Sequence, residues 1–293
     1  MNGEIPRVGP EETGGNAIES QEALKKESIP VISIYLVRHG ETGKDKTDPK
    51  RTLTENGVRQ VETVTERIID QLISEAASGA EVNEEAKKDI LKSIHFRLYD
   101  SGTTRTQEQI SLERAKLLAM GVPEGNIYLP QSYYDYVGEE HSSGPGIPKR
   151  LEGIMGIDEA TDFRKKIGDS EYQKAVGAAD EVTAWALTPE EEIPTGVDTY
   201  RDVQSRVAAN IAKLEKVMPY LARKKERTVI IANSHASNVT IASVNILGME
   251  DIRELGQAGN VEGVRMAFLK DGSRKVEPFG ANYESRVGGS TPQ

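Results

Sequence analysis

The sequence lacks cysteine entirely and is poor in tryptophan, histidine and positive charge. Among its 293 residues are no cysteine, one tryptophan and four histidines. The absence of cysteine excludes disulfide bonds, thiolate metal sites and a cysteine nucleophile. Lysine and arginine total 37 against 47 aspartates and glutamates, which gives a net charge of -10. This balance argues against a nucleic-acid partner or an anionic membrane surface, because both are bound by basic surfaces.

Long hydrophobic runs are also missing. No apolar stretch is long enough to cross a bilayer, and the first residues lack the basic start, apolar run and cleavage site of a signal peptide. We therefore expect a cytoplasmic protein with no membrane partner.

The chain divides by composition into a polar front and an organised body. Residues 1–29 are rich in glycine, proline and glutamate, which predicts a disordered tail. Residues 30–285 are predicted to form a single domain, and residues 286–293 a flexible C-terminus. Within the domain, about residues 130–197 are less regular and contain Gly/Pro-rich and acidic patches, so we interpret them as an inserted cap.

Buried strand patterns alternate with helical patterns along this body. Strands are predicted at Val31–Val37, Ile94–Tyr99, Asn126–Leu129 and Arg227–Asn233. Helices are predicted from Thr54, near residues 104–120, from Tyr200 and near residues 237–247. A closing hairpin follows at Val264–Leu269 and Lys275–Phe279, because Asp271-Gly272 suits a tight turn. The alternation predicts an α/β fold with a mainly parallel sheet flanked by helices.

Ionisable side chains recur where the predicted strands end. Two of the four histidines, His39 and His235, lie just past the ends of predicted buried strands. Arg38 and Arg105 also follow strands or occupy the turn into the next helix. Because ligands bind at the carboxyl edge of open α/β sheets, these side chains are predicted to form a small positive site on an acidic chain.

This set of side chains suits one phosphoryl group. Arginine forks match phosphate oxygens, helix N-termini add N–H donors, and Gly40 permits close approach of the backbone. A neutral imidazole can attack phosphorus when an acceptor holds its other nitrogen, and a second histidine can donate to the transition state. Zinc patterns such as H-x-x-x-H or H-E-x-x-H are absent, so we expect no metal and no cofactor.

The segment Leu36-Val37-Arg38-His39-Gly40-Glu41-Thr42 resembles the signature of the histidine phosphatase superfamily, in the branch that contains the cofactor-dependent phosphoglycerate mutases. Four further segments resemble motifs of this superfamily. Residues 53–60 resemble its Leu-Thr-x-x-Gly-x-x-Gln helix start, and residues 101–108 resemble its Ser-x-x-x-Arg-x-x-Gln segment. Residues 198–207 resemble the region ending in Arg-Val, and residues 234–236 resemble the second-histidine motif. Their order and spacing match over about residues 31 to 270, which implies a phosphoglycerate mutase-like fold.

The resemblance also implies roles for the matching residues. His39 is the expected nucleophile, which forms a phosphohistidine that water then hydrolyses. Arg38 and Arg105 are expected to clamp the phosphoryl group, and His235 to complete the pocket. The remaining residues expected to line or bind the substrate are Gly40, Thr42 and Ala236, the last through its backbone N–H.

The acid that protonates the leaving group is less well defined. The superfamily usually places a glutamate in a Leu-x-Glu segment after the third strand, where this chain has Tyr133-Tyr134-Asp135. Its glutamate is often followed four residues later by glycine, and Glu140 with Gly144 fits that criterion better. Asp135, Glu140 and the neighbouring Glu139 therefore all stay candidates, and the true donor needs a raised pKa.

Three functions fit this pattern. The first is a metal-independent phosphomonoester hydrolase acting on a phosphorylated small molecule or a phosphoprotein. The second is a phosphoglycerate-type mutase, although residues 43–49 and the distant Trp185 do not supply the Trp-Asn segment and Gly-Trp loop of such mutases. The third is a catalytically weak phosphate-binding or regulatory protein of the same fold. The sequence leaves the substrate and the oligomeric state open.

Overall fold

Runs of β-branched and apolar residues form one sheet in the computed structural model, which describes residues 29–43, 50–129, 157–195, 197–222 and 227–288. Its strands are β1 (Ile32–Arg38), β2 (Ile94–Tyr99), β3 (Ile127–Tyr128), β4 (Arg227–Ser234), β5 (Gly263–Phe268) and β6 (Arg274–Phe279). The strand order is β3-β2-β4-β1-β5-β6. The first four strands in that order run parallel, whereas β5 and β6 form an antiparallel hairpin at the edge. The predicted α/β class with a mainly parallel sheet is confirmed.

Ten helices lie within the described residues. They are α1 (Glu55–Ala76), α2 (Glu84–Lys92), α3 (Thr104–Ala119), α4 (Ile157–Gly168), α5 (Ser170–Ala175), α6 (Glu181–Leu187), α7 (Tyr200–Ala222), α8 (Ala236–Leu247), α9 (Ile252–Leu255) and α10 (Ala281–Gly288). Among them, no helix is both long and apolar enough to cross a membrane.

Hydrophobic clusters cover both faces of the sheet. On one face, Leu72 of α1 and Leu117 of α3 pack with Phe96 of the sheet. On the other, fully buried Trp185 and Tyr283 pack in a cluster built largely from α4, α6, α8 and α10. A parallel sheet needs this cover because its strands are apolar on both sides.

Helix α1 begins at the predicted place. The Thr54 side chain accepts a hydrogen bond from the backbone N–H of Gly57 at 3.0 Å, which caps the helix. The apolar face of the helix packs inward, since Val61, Val64 and Leu72 are all buried. The helix start is therefore fixed beside the loop that follows β1.

Several elements differ from the sequence-based expectations. Helices α2 and α10 were not predicted, because eight or nine residues give too short a window for a helical period to stand out. The third strand is shorter than expected and comprises only Ile127–Tyr128. Helices α4, α5 and α6 occupy a segment that was expected to be less regular, with Asp169 and Asp180 as N-caps.

The predicted domain boundaries are not tested by these observations. Helix α10 does extend to Gly288, three residues into the segment expected to be flexible. Residues 1–28 and 130–156, which include the predicted tail and the first part of the predicted cap, lie outside the described residues. The cap assignment stays a prediction.

The pairing of β1 with β4 determines where the two histidine loops begin at the carboxyl edge of the sheet. They pair in parallel with Arg38 opposite Ser234, so each strand ends one residue before a histidine. The backbone N–H of His39 donates to the Ser234 carbonyl at 3.0 Å, which continues the pairing past the strand end. The two histidine loops therefore leave the sheet side by side.

Gly57→Ala tests the close approach of this loop to α1. A Cβ at position 57 would lie 2.1 Å from the Glu41 carbonyl oxygen, so helix and loop would have to separate. We expect the free energy of unfolding, measured by urea denaturation, to fall by about 1–3 kcal/mol. Gly125→Ala, where an added Cβ meets nothing within 4 Å, is the control and should change it by less than about 0.5 kcal/mol. Equal stability of the two variants would contradict this packing.

Candidate active site

Two histidine rings meet at the carboxyl edge of the sheet. His39 follows β1 and His235 follows β4, where it is the N-cap residue of α8. Their ring centroids are 5.4 Å apart with the planes at 72°. The sequence-based prediction placed these side chains at one edge, and the structure brings them together there.

The hydrogen bond at Nδ1 determines the tautomer of His39. Its Nδ1 lies 2.7 Å from the Gly40 carbonyl oxygen, which can only accept, so Nδ1 carries the proton. The other ring nitrogen, Nε2, then keeps its lone pair. Because the ring is 95% buried, with 5% exposure, water competes little for that nitrogen.

Arg105 bridges the two histidines from the first turn of α3. Its Nε donates to His39 Nε2 at 3.1 Å, and its Nη2 donates to His235 Nδ1 at 3.2 Å. Since His235 Nδ1 accepts, its Nε2 carries the proton and donates to the Ser101 hydroxyl at 2.9 Å. One guanidinium therefore faces an unprotonated nitrogen on each ring.

Burial and neighbouring arginines keep both histidines neutral. The pKa of His39 is lowered to about 3, mainly by burial; the hydrogen bond to Gly40 opposes this shift, and the charges of Arg105 and Arg38 add to it. Burial also lowers the pKa of His235 well below its ordinary value, with Arg105 as the next cause. A neutral imidazole is the form that can act as a nucleophile.

Arg38 is held by the loop that precedes β5. Its Nη1 donates to the Ala258 carbonyl at 2.5 Å, and its backbone N–H donates to the Glu262 carbonyl at 2.9 Å. Burial lowers the pKa of its guanidinium, while Tyr283 and Glu262 oppose that change. The loop fixes the direction of the side chain beside the two histidines.

Arg51 adds a positive charge that the sequence patterns did not reveal. The pKa of Arg105 is lowered to about 10, mainly by burial, and the charges that contribute most are Arg51 and then Arg38. Arg51 also lowers the pKa of both histidines. It follows neither a strand nor a recognised motif, so nothing in the sequence marked it.

Similarity to solved structures extends over most of the chain. A phosphoglycerate mutase from Bacillus anthracis str. Sterne is 17% identical, with 88% of this chain and 95% of that chain covered and a TM-score of 0.48. A phosphoserine phosphatase from Entamoeba histolytica is 16% identical, with 86% and 99% covered and a TM-score of 0.40. A mycobacterial glucosyl-3-phosphoglycerate phosphatase with inorganic phosphate is 16% identical, with 87% and 99% covered and a TM-score of 0.44.

No protein-family model matches the sequence, and no curated protein matches it either. The TM-scores of these solved structures are below 0.5, so the likeness carries no conclusion about activity. The motifs that carry His39, Arg105 and His235 come together at one sheet edge. In its motifs the chain resembles the histidine phosphatase superfamily. The solved structures with this resemblance include phosphatases and a mutase.

The other residues that the histidine phosphatase resemblance indicated also lie near this edge. Gly40 is buried, and a Cβ there would lie 2.7 Å from the Gly57 carbonyl oxygen, so packing against α1 by itself requires a glycine. Thr42 forms an isolated bridge with Leu53, and Ala236 is the first residue of α8. Their predicted contacts with substrate stay predictions.

The three candidate acids follow β3 in the sequence. Asp135, Glu139 and Glu140 lie outside the described residues, together with the segment that contains them. Their roles therefore stay predictions.

Gln109 is a further site residue that motif matching missed. Its Oε1 accepts a hydrogen bond from the Gly40 backbone N–H at 3.0 Å, directly behind His39. Glu108, where the superfamily motif has its glutamine, instead accepts from the Leu53 N–H at 2.8 Å. A usable signal existed, because Gln109 lies four residues after Arg105 and such residues share a helix face.

His39→Asn tests the neutral state of the buried imidazole. The unfolded chain protonates His39 near pH 6.5, whereas the folded pKa is about 3. The stability that comes from neutral His39 is thus present above pH 6.5 and is lost as pH falls toward 3. Between pH 6.5 and about 3, we expect the free energy of unfolding of the wild type to decrease as the pH is lowered. His39 should contribute up to about 1.4 kcal/mol per pH unit to this decrease. Urea denaturation at several values from pH 7 to pH 4 should show that the free energy of unfolding depends less steeply on pH in the variant than in the wild type. An equal dependence on pH in both proteins would refute a neutral buried His39.

Proposed function

We propose that this protein is a metal-independent phosphomonoester hydrolase that acts through a phosphohistidine at His39. The observation that carries this proposal is the state of the His39 ring. Its Nδ1–H is held by the Gly40 carbonyl, and its unprotonated Nε2 faces the guanidinium of Arg105. A nucleophile held in one tautomer beside fixed positive charge suits attack on a phosphoryl group.

In the first step a phosphomonoester binds and its oxygens take N–H donors of Arg105 and Arg38. Arg105 then releases His39 Nε2, whose lone pair attacks phosphorus as the bond to the leaving oxygen breaks. The leaving oxygen takes a proton from the acid, for which Asp135, Glu140 and Glu139 are the candidates. Neutral His235 turns the Nε2–H that it donates to Ser101 toward the phosphoryl oxygens and donates to them instead.

In the second step water attacks the phosphorus of the phosphohistidine. The N–P bond breaks and its electrons return to Nε2, while the attacking water gives its proton to the carboxylate left by the first step. Inorganic phosphate leaves, and both the imidazole and the acid return to their starting states. The hydrogen bond from His39 Nδ1 to the Gly40 carbonyl is unchanged in this cycle. His39 Nε2 is therefore the nucleophile of the first step and the leaving group of the second.

The charge distribution favours a compact substrate group. Arg51 lies close enough to lower the pKa of both Arg38 and Arg105, and Arg38 lowers that of Arg105, within a chain whose net charge is -10. Such a local site suits a single phosphoryl group better than a polyanion lying across the surface. We propose a phosphorylated small molecule or a phosphoprotein as the substrate, and the cytoplasm as the compartment.

A mutase is the second candidate function. Trp185, the only tryptophan, is fully buried and its Nε1–H donates to the Asp198 carbonyl at 3.0 Å. It therefore packs the core and does not face a substrate. This contact favours hydrolysis over the mutase, whose superfamily members use a Trp-Asn segment to hold a small diacid.

His39→Ala tests the nucleophile directly. The purified wild type should hydrolyse a small aryl phosphate in the presence of EDTA, and the variant should lose that activity by about 10⁴-fold or more, because no nucleophilic nitrogen remains. Rapid denaturation without acid should trap a ³²P-labelled phosphohistidine in the wild type only.

His95→Gln is the matched control. His95 lies in β2 opposite Thr228, toward the amino edge of the sheet, and the variant should keep activity within about twofold. Activity that needs added metal, or that survives in His39→Ala, would refute the mechanism. Interconversion of 2- and 3-phosphoglycerate would identify a mutase, and phosphate binding without any phosphohistidine would identify a binding protein.

The leaving group identifies the acid among Asp135, Glu139 and Glu140. Protonation matters most for a poor leaving group, so Asp135→Asn, Glu139→Gln and Glu140→Gln should be assayed on a matched alkyl and aryl phosphate. In the variant that lacks the acid, we expect kcat/KM to fall by about 10²-fold or more on the alkyl ester and far less on the aryl ester. Equal losses on both esters in all three variants would exclude these residues as the proton donor.

A further inference from the structure

A fully buried carboxyl group lies on α3 behind the two histidine loops. Glu113 is 1% exposed, and its two oxygens accept from Gln109 Nε2 and Asn233 Nδ2, both at 2.9 Å. Gln109 and Asn233 are themselves fully buried. The second N–H of Gln109 Nε2 donates to Asn233 Oδ1 at 2.6 Å, which closes a triangle of side chains.

The carboxylate dictates how both amides are turned. An ionised carboxylate accepts hydrogen bonds only, so Gln109 and Asn233 must each present an NH₂ group to Glu113. This leaves Gln109 Oε1 facing away from Glu113, where it accepts from the Gly40 N–H at 3.0 Å. The same peptide loop presents the Gly40 carbonyl that accepts from His39 Nδ1 at 2.7 Å. A continuous path of polar contacts therefore joins Glu113 to the His39 ring.

The network also joins the three elements that carry the site. Glu113 and Gln109 share α3 with Arg105, which contacts both histidine rings. Asn233 lies in β4 opposite Val37 of β1, two residues before His235. A rotation of either amide would thus disturb the backbone next to both histidines.

We propose that Glu113 is a positioning residue, which through Gln109 and Asn233 holds the Gly40 peptide and thereby fixes the direction and tautomer of His39. This role rests on the proposed function, because it concerns the aim of the nucleophile. Packing alone does not account for a carboxyl group here, since an apolar side chain of similar volume fills such a site without the cost of burying charge. That cost is present, because burial raises the pKa of Glu113 to about 7 although both amide donors act against it.

Glu113→Gln keeps the volume and breaks the pattern of donors. The new amide must direct its NH₂ group at the NH₂ group of either Gln109 or Asn233, so one hydrogen bond is lost. Gln109 is then no longer held in the orientation in which its Oε1 accepts from the Gly40 N–H. We expect single-turnover phosphohistidine formation to slow by at least about 10-fold, because small misplacements of a nucleophile cost that much. The Kd for inorganic phosphate should change by less than about threefold, since Arg38 and Arg105 are untouched.

A double variant supplies the rescue. Glu113→Gln combined with Asn233→Asp exchanges the carboxylate and the amide, so the amide at position 113 donates to the new carboxylate and still accepts from Gln109. We expect the rate to return to within about threefold of the wild type. A single variant that reacts at the wild-type rate, or a folded double variant that stays tenfold slower, overturns the proposal. If Glu113→Gln does not fold, the double variant decides the question by the same criterion.

Thr65→Val is the matched control for the loss of a buried hydrogen bond. Thr65 is fully buried in α1 and its hydroxyl donates to the Val61 carbonyl at 2.8 Å, a hydrogen bond that involves neither Glu113 nor its two amide partners. In Thr65→Val the rate of phosphohistidine formation should stay within about twofold of the wild-type rate. If Thr65→Val slows phosphohistidine formation as much as Glu113→Gln does, the effect is one of general destabilisation, and the positioning role is overturned.

Backbone exchange separates this inference from the proposed function. In ¹⁵N-labelled protein the Gly40 amide should exchange with solvent at least about 10-fold faster in Glu113→Gln, and the His39 ring ¹⁵N shifts should move toward a mixture of tautomers. Wild type that forms no phosphohistidine would refute the hydrolase, and these two NMR readouts would still decide whether Glu113 holds the loop. Unchanged exchange and unchanged ring shifts would overturn the inference.

Discussion

The hydrogen bond from His39 Nδ1 to the Gly40 carbonyl is the contact on which the site depends. It determines which nitrogen keeps its lone pair, and it does so with a backbone acceptor that cannot change its protonation state. The peptide is itself held, since Gly40 packs against the start of α1 and its N–H is bound by Gln109. Packing of the fold and the chemistry of the ring are therefore both decided at one residue, Gly40.

Burial of positive charge is the second constraint. Burial and the charge of Arg51 lower the pKa of both Arg38 and Arg105, and Arg38 lowers that of Arg105 as well, so the folded chain holds these arginines together against repulsion. The carbonyl of Ala258 and the two histidine nitrogens are the acceptors that compensate. A dianionic phosphoryl group relieves this repulsion, so binding energy is available at the position where negative charge develops.

Sequence patterns predicted the sheet and the strand-end residues because these depend on local signals. The runs that form β1 and β4 are continuous and rich in β-branched residues, and a histidine follows each strand, so His39 and His235 were placed correctly at one edge. Helices α2 and α10 were missed because a short helix shows too little periodicity. Arg51 and Glu113 were missed for a different reason: their neighbours come from distant parts of the chain, and no local pattern records such contacts.

The register of β1 against β4 has a consequence for which changes in chain length this fold can accept. Arg38 stands opposite Ser234, and both histidines follow at the next position. An inserted or deleted residue in either strand would shift one histidine by a full step and turn its strand's core residues to the opposite face. The turn after α1, where Gly79 has open space around it, carries no such requirement. Variation in length is therefore tolerable in the turn after α1 and excluded from the two central strands, whose register determines the distance between the rings.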